Sequence, residues 1–202
     1  EFGVGVFSHI VAKKLDLPKE EIDKLCLAIL LYDIGNIMIP EEIFNKKDPL
    51  TQEEKEIIFT SCGSESANLA IKGVCLKYQN RGKHIITTFL EHSSVIGPLN
   101  YLTNMGYEVD FVKIQDNGLV DIDHLKSLLR NDTILVSISM VDSEIGLRQP
   151  IQEIAKILEE YPKCYFHVDC TQAFGKIPVD LTGVDMASMS AHKIYGLKGI
   201  GM

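Results

Sequence analysis

The chain has 202 residues, 46% of them hydrophobic and 24% charged, with a formal net charge of −8. That length and balance suit one full domain or two small ones around a sizeable buried core. The acidic excess argues against nucleic acid and anionic membrane surfaces as partners, and no apolar run approaches a membrane span in length.

The first residues, "EFGVGVFSHI", carry no basic region ahead of a long apolar core, so no signal peptide is read there. The absence of an initial Met suggests a cut or processed end. Five cysteines, Cys26, Cys62, Cys75, Cys164 and Cys170, form no C-x-x-C pair. Their odd number predicts a reduced, cytoplasmic setting rather than a disulfide framework.

Residues 1–56 read as helical. Phe7, Ile10, Val11 and Leu15 recur at helical spacing, as do Ile22, Leu25, Cys26, Ile29 and Leu30. Between them "LDLPKEE" has the form of a turn and a helix start, with Pro18 in the first turn. "IPEEIFNKKDPLTQEE" adds two breaks and two short helices.

From residue 57 the pattern changes. "EIIFTS", "KHIITTFL", "EVDFVKI", "TILVSISMV", "CYFHVDC" and "DMASMSA" are short β-rich runs. Helical patterns lie between them, over residues 69–78, 95–104, 122–129 and 151–161. This alternation predicts an α/β fold, a mainly parallel sheet with flanking helices, preceded by the all-helical segment. The expected domains are residues 1–56 and 57–202.

In such sheets ligands bind beyond the carboxyl ends of the strands, and polar clusters fall there: "TSCGSESAN", "LEHSS", "VDSEIG", "VDCTQ" and "SAHK". Gly63 and its serines suit a phosphate at a helix start, or simply an N-cap. Asp169 closes an apolar strand, where a carboxylate binds a cationic nitrogen or a metal, or caps a helix. His92 alone reads as structural. Lys193 alone reads as a surface charge, although a lysine leaving a buried strand is desolvated and so becomes a nucleophilic amine. Together they are the inventory for pyridoxal phosphate: an anion cradle, a ring stacker, an acid for the pyridine nitrogen and a lysine for the aldehyde.

The segments "FTSCGSESANLAIKGV", "EHSSV", "SEIGLRQPI", "HVDCTQAFGKIPVDL" and "SMSAHKIYGLKGIG" resemble the large domain of cysteine desulfurases, within class-V, fold-type-I pyridoxal-phosphate enzymes. Selenocysteine lyases share much of the pattern. The resemblance implies that Lys193 is the Schiff-base lysine and that His92 stacks on the ring and helps move protons. It implies that Asp169 pairs with the pyridine nitrogen and Gln172 bonds the phenolic oxygen. Ser64, Ser190 and His192 would hold the phosphate, with backbone N–H groups near Gly63. The family usually has threonine at Ser64 and often asparagine at Ser143, near the phenolic oxygen; the shorter serine at Ser143 would need a water.

The implied reaction takes sulfur from L-cysteine, leaves alanine and passes a persulfide to an acceptor protein, as in iron–sulfur cluster assembly. A homodimer is implied as well. In the family the persulfide cysteine and the arginine that holds the substrate carboxylate lie downstream of the lysine, and the sequence ends at Met202. None of the five cysteines matches the persulfide position, so impaired turnover is expected.

Over residues 4–58, "LCLAILLYDIGNIMIPEEIFNKKDPLTQEE" resembles HD-GYP phosphodiesterase domains, which read near "ALLHDIGKIGIPEEILNKPGKLTEEE". Tyr32 replaces the metal-binding histidine and Asn36 the lysine after the glycine. Asp33 alone cannot hold two metals, so no metal site is read. The rival readings are therefore a non-catalytic HD-type signalling or interaction module, a degenerate cyclic-dinucleotide phosphodiesterase remnant, or a non-functional fragment.

Overall fold

A computed structural model describes residues 57–202. The expected helical segment and its phosphodiesterase-like pattern lie outside the described residues. Among the described residues the elements run α1 (Gly63–Lys77), β1 (His84–Thr88), α2 (Ser93–Asn104), β2 (Glu108–Val112), α3 (Ile122–Leu128), β3 (Thr133–Ser139), α4 (Ile151–Leu158), β4 (Tyr165–Asp169) and β5 (Met186–Ser188). A 3-10 turn, Ala191–Ile194, follows. No helix among the described residues is long and apolar enough to cross a membrane.

The five strands form one sheet in the order β2-β1-β3-β4-β5, and every neighbouring pair is parallel. Chain direction across the sheet reverses between β1 and β3: β1 leads outward to β2, while β3 leads to β4 and β5. That is the topological switch point, where α/β sheets open a crevice. β1 and β3 are in register only at His84↔Thr133, Ile85↔Leu135 and Ile86↔Val136. Beyond Ile86 and Val136 the two strands carry no further ladder.

Alternation along the strands sorts the side chains into two layers. Ile85 and Leu135 join Ala67, Ile71 and Cys75 of α1 and Val95, Leu99 and Leu102 of α2 in one buried cluster. Ile86, Val136, Ile138, Phe166 and Val168 join Leu125 of α3 and Ile151, Ile154 and Leu158 of α4 in the other. On the α1–α2 face the strands change character toward their carboxyl ends. Leu135 is followed by Ser137 and Ser139, Tyr165 by His167 and Asp169, and Met186 by Ser188. All five of these polar residues are buried, so the apolar layer gives way to a polar floor.

Three expectations are corrected. The described part of "EIIFTS", residues 57–61, forms no strand: Ile57, Ile58 and Phe59 are exposed, and only Thr60 pairs, in a single antiparallel bridge to Gly201. One bridge satisfies one residue, and the chain then turns into α1. That helix starts at Gly63, six residues ahead of residue 69, because Ser66 and Ala67 already face inward. Further along the chain α4 stops at Leu158. Glu160 and Tyr161 donate to Ile157 and Leu158 in tightened turns, and Pro162 disfavours a helical residue before it.

Tyr195 has φ 62, a left-handed conformation that few non-glycine residues adopt. It ends the 3-10 turn and swings the chain back. Met202 then pairs with Met189 through two backbone bonds of 2.9 and 3.1 Å. Gly201 fits between Thr60 and Ser190 because it has no side chain: a Cβ there would lie 2.2 Å from the carbonyl carbon of Cys62. This close approach sets the start of α1 against the segment that carries Lys193.

Candidate active site

The strand ends, the head of α1 and the 3-10 turn enclose a cavity of about 350 Å³. Its walls contain all nine residues singled out in the sequence: Gly63, Ser64, His92, Ser143, Asp169, Gln172, Ser190, His192 and Lys193. They come from five separate connections, and only the sheet brings them together.

The anion end is at α1. Its N-cap, Cys62, makes no side-chain capping bond of full hydrogen-bond geometry, although the Glu65 and Ser64 amides point toward its thiol and favour the thiolate; these first-turn amides are the ones an anionic ligand would take over. A Cβ on Gly63 would meet the Ser190 Cβ at 3.0 Å and the Met189 carbonyl oxygen at 3.3 Å. Glycine therefore lets the helix head approach the Ser190 segment. Ser190 Oγ lies 2.8 Å from His192 Nδ1, so these two side chains orient each other.

His92 is the N-cap of α2. Its Nδ1 accepts the Ser94 amide at 3.1 Å and lies 2.9 Å from Ser94 Oγ. An Nδ1 that accepts an N–H carries no proton, so the neutral ring bears its hydrogen on Nε2. Asp169 is 6% exposed and ends β4, where its Oδ1 accepts the Thr171 amide at 2.9 Å. Gln172 Oε1 accepts a hydrogen bond from Lys176 Nζ. Ser143 lies in the loop after β3 and lines both this cavity and the neighbouring cleft by Phe89 and Ile145.

Lys193 does not leave a buried strand. β5 ends at Ser188, and Lys193 sits in the 3-10 turn with its side chain exposed at the cavity. The turn lifts it off the sheet, so it stands at the cavity rim rather than at a strand end.

Several residues of the site were not legible as such. Cys62, Ser94, Ser139, Val141 and Thr171 also line the cavity. Beneath it, His167 bonds Ser137 Oγ at 2.9 Å and Ser188 Oγ at 3.1 Å. Burial holds His167 down to about 4, against the pull of Asp169, so it is neutral at neutral pH. Glu91 is buried and bonded to Thr88 and Ser139. Burial pushes its carboxyl up to about 7; the Ser139 and Thr88 bonds oppose this and the charge of Asp169 adds to it. The available signal was positional: His167 lies two residues before Asp169 on one face, and Glu91 directly precedes His92.

The thiols differ sharply. Burial raises Cys75, Cys164 and Cys170 to about 12. Cys62 is lowered, chiefly by the amide of Glu65. Cys170, although next to Asp169, faces the core and is 0% exposed.

An open helix head, a glycine approach that a Cβ would fill, a buried carboxylate and an exposed lysine in one cavity fit pyridoxal phosphate. The fold and this site define a fold-type-I cofactor domain. Residues 49–202 match the aminotransferase class-V family, and the chain belongs to that family, whose members use pyridoxal phosphate.

Within it the chain is 51% identical over 148 residues to the cysteine desulfurase IscS of Dictyoglomus turgidum, covering 72% of this chain and 37% of that protein. It is 48% identical over 154 residues to the cysteine desulfurase IscS of Neisseria meningitidis, covering 75% and 38%. Among solved structures it superposes on a NifS-like protein with a TM-score of 0.70 at 38% identity, covering 73% and 42%. DndA from Streptomyces lividans gives 0.68 at 42% identity, also covering 73% and 42%. SspA, solved in complex with cysteine, gives 0.69 at 37%, covering 73% and 43%. The chain thus spans about two fifths of the length of the relatives it matches.

Proposed function

We propose that this chain is the pyridoxal-phosphate-holding part of a cysteine desulfurase acting on L-cysteine. The observation that carries the reading is the meeting of all nine predicted residues around one cavity at the switch point of the sheet. When bound, the cofactor supplies an aldehyde and an electron-withdrawing ring. The residues of the chain supply the rest. The amides of Gly63 and Ser64, with the hydroxyls of Ser64 and Ser190 and the ring of His192, would hold the phosphate. Asp169 would offer its buried carboxylate to the pyridine nitrogen and favour the protonated form. His92 would lie against the ring and offer Nε2 for proton movement. Gln172 and Ser143 would bind on the side of the phenolic oxygen. Lys193 would supply the primary amine that holds the aldehyde.

Sulfur acceptance needs a thiolate. Three of the four described thiols are buried and pushed up to about 12, and Cys62 stands at the phosphate end. The sulfur-accepting thiol is therefore not among the described residues. On this reading the described residues hold the cofactor and bind the amino-acid substrate, and the thiol that accepts the sulfur lies outside them. A homodimer and a sulfur-acceptor protein belong to the same reading.

The test is borohydride reduction of the purified chain with pyridoxal phosphate, followed by peptide mass. A cofactor adduct on the Lys193 peptide, lost in Lys193→Ala, is the expected result. No adduct at saturating cofactor overturns the binding claim. Sulfide release from L-cysteine at full rate by this chain alone overturns the claim about the thiol.

A further inference from the structure

Where β1 and β3 part, the Ser139 amide has no strand to bond. Glu91 takes that place: its Oε1 accepts the Ser139 N–H at 3.0 Å and the Thr88 hydroxyl at 2.8 Å. The Thr88 hydroxyl itself accepts the Leu90 amide at 3.1 Å, which commits its own proton to Glu91. Glu91 Oε2 is 2.6 Å from Ser139 Oγ. A carboxyl group thus bridges the end of one strand to the end of the other at the floor of the crevice, and the function proposed above makes no use of it.

We propose that Glu91 is the positioning residue of this cavity: its carboxyl clasps the parted ends of β1 and β3, and its proton sets the direction of the Ser139 hydroxyl beside the Asp169 strand end. Two placements carry this. Glu91 immediately precedes His92, so the clasp sets where α2 begins and where the His92 ring stands. Ser139 lines the cavity and is the register partner of Asp169. Ionised, Glu91 only accepts; the Ser139 hydroxyl then turns toward it and shows lone pairs to the cavity. Protonated on Oε2, Glu91 donates to Ser139 Oγ, and the Ser139 proton is released toward the cavity.

Burial holds the carboxyl at about 7, so both states are within reach near neutral pH. The charged and titratable groups around it are Asp169 and His167 on β4, His92 at the head of α2, and Asp142 and Glu144 in the loop after β3. His192 and Lys193 stand across the cavity. Asp169 is the one that acts on Glu91, and its negative charge favours the proton. Pairing of Asp169 with a cationic partner in the cavity would offset that charge and favour the ionised Glu91 carboxyl. This last coupling rests on the proposed function; the clasp and its titration do not.

The experiment follows the Ser139 amide resonance of the nitrogen-labelled chain against pH, without cofactor. It should titrate with a midpoint near 7, and the titration should vanish in Glu91→Gln. A Ser139 amide that does not move, or that moves equally in Glu91→Gln, overturns the proposal. Cofactor affinity is then compared across variants. Glu91→Ala orphans a buried amide and should bind pyridoxal phosphate about tenfold more weakly, with Glu91→Gln restoring most of the loss. Equal affinity in wild type and Glu91→Ala refutes the clasp. Should Glu91→Ala not fold, Ser139→Ala serves: losing a bond that favours the carboxylate moves the Glu91 carbon resonance titration to higher pH. An unmoved midpoint also refutes the pairing. A wild-type chain that binds no cofactor refutes the functional reading alone.

Discussion

Glutamine in place of Glu91 retains an acceptor for the Thr88 hydroxyl and the Ser139 amide while removing one proton equilibrium from the core. The wild-type carboxyl moves from 4.5 to about 7 on folding because it is buried, being only 8% exposed. Folded protein therefore holds the proton more tightly than unfolded protein. The stability from this group is full below 4.5 and is lost as pH rises through about 7. A rise of that size corresponds to about 3 kcal/mol at roughly 1.4 kcal/mol per pH unit. Urea denaturation of wild type and Glu91→Gln between about pH 4 and about pH 8 measures it. Subtracting the two profiles cancels every other titration, that of His167 included. The wild type should lose about 3 kcal/mol relative to the variant across the range. Parallel profiles would refute the argument that burial of Glu91 outweighs its hydrogen bonds to Thr88 and Ser139.

The other expected outcomes concern separate parts of the cavity. His167 is held down to about 4, so its contribution is present above the ordinary histidine value and is lost as pH falls from about 6.5 to about 4. His167→Gln should flatten that acid limb in urea denaturation. Gly201→Ala places a Cβ against the Cys62 carbonyl and should cost about 1–3 kcal/mol while weakening phosphate-dependent cofactor binding, read by fluorescence. Among the described cysteines Cys62 should alkylate first, ahead of the three buried thiols, with protection by pyridoxal phosphate; peptide mass after limited labelling checks the order. Asp169→Ala should alter the absorption spectrum of bound cofactor more than its phosphate-dependent affinity.

How far the sequence could be read depended on the range of each cause. Alternation over five or seven residues is local, so β1 through β5 and the helices between them were legible. "EIIFTS" misled because apolar β-branched residues permit a strand but do not supply a neighbour, and only Thr60 finds one. The head of α1 was hidden in small polar residues whose inward face shows only against the sheet.

By itself the sequence determined the α/β alternation, the order of the strand-end clusters and, through their resemblance to desulfurases, nine of the residues that line the cavity. Tertiary structure alone decided which way the strands run from the switch point, and that β1 and β3 part beyond Ile86. It also decided that Lys193 stands exposed on a turn while Glu91 and His167 lie buried as titrating groups. The physical reason is that strand pairing and burial depend on residues far apart in the chain. The charge state of Glu91 is set first by its burial and then by Ser139, Thr88 and Asp169, a neighbourhood that the three letters around "EHS" do not contain.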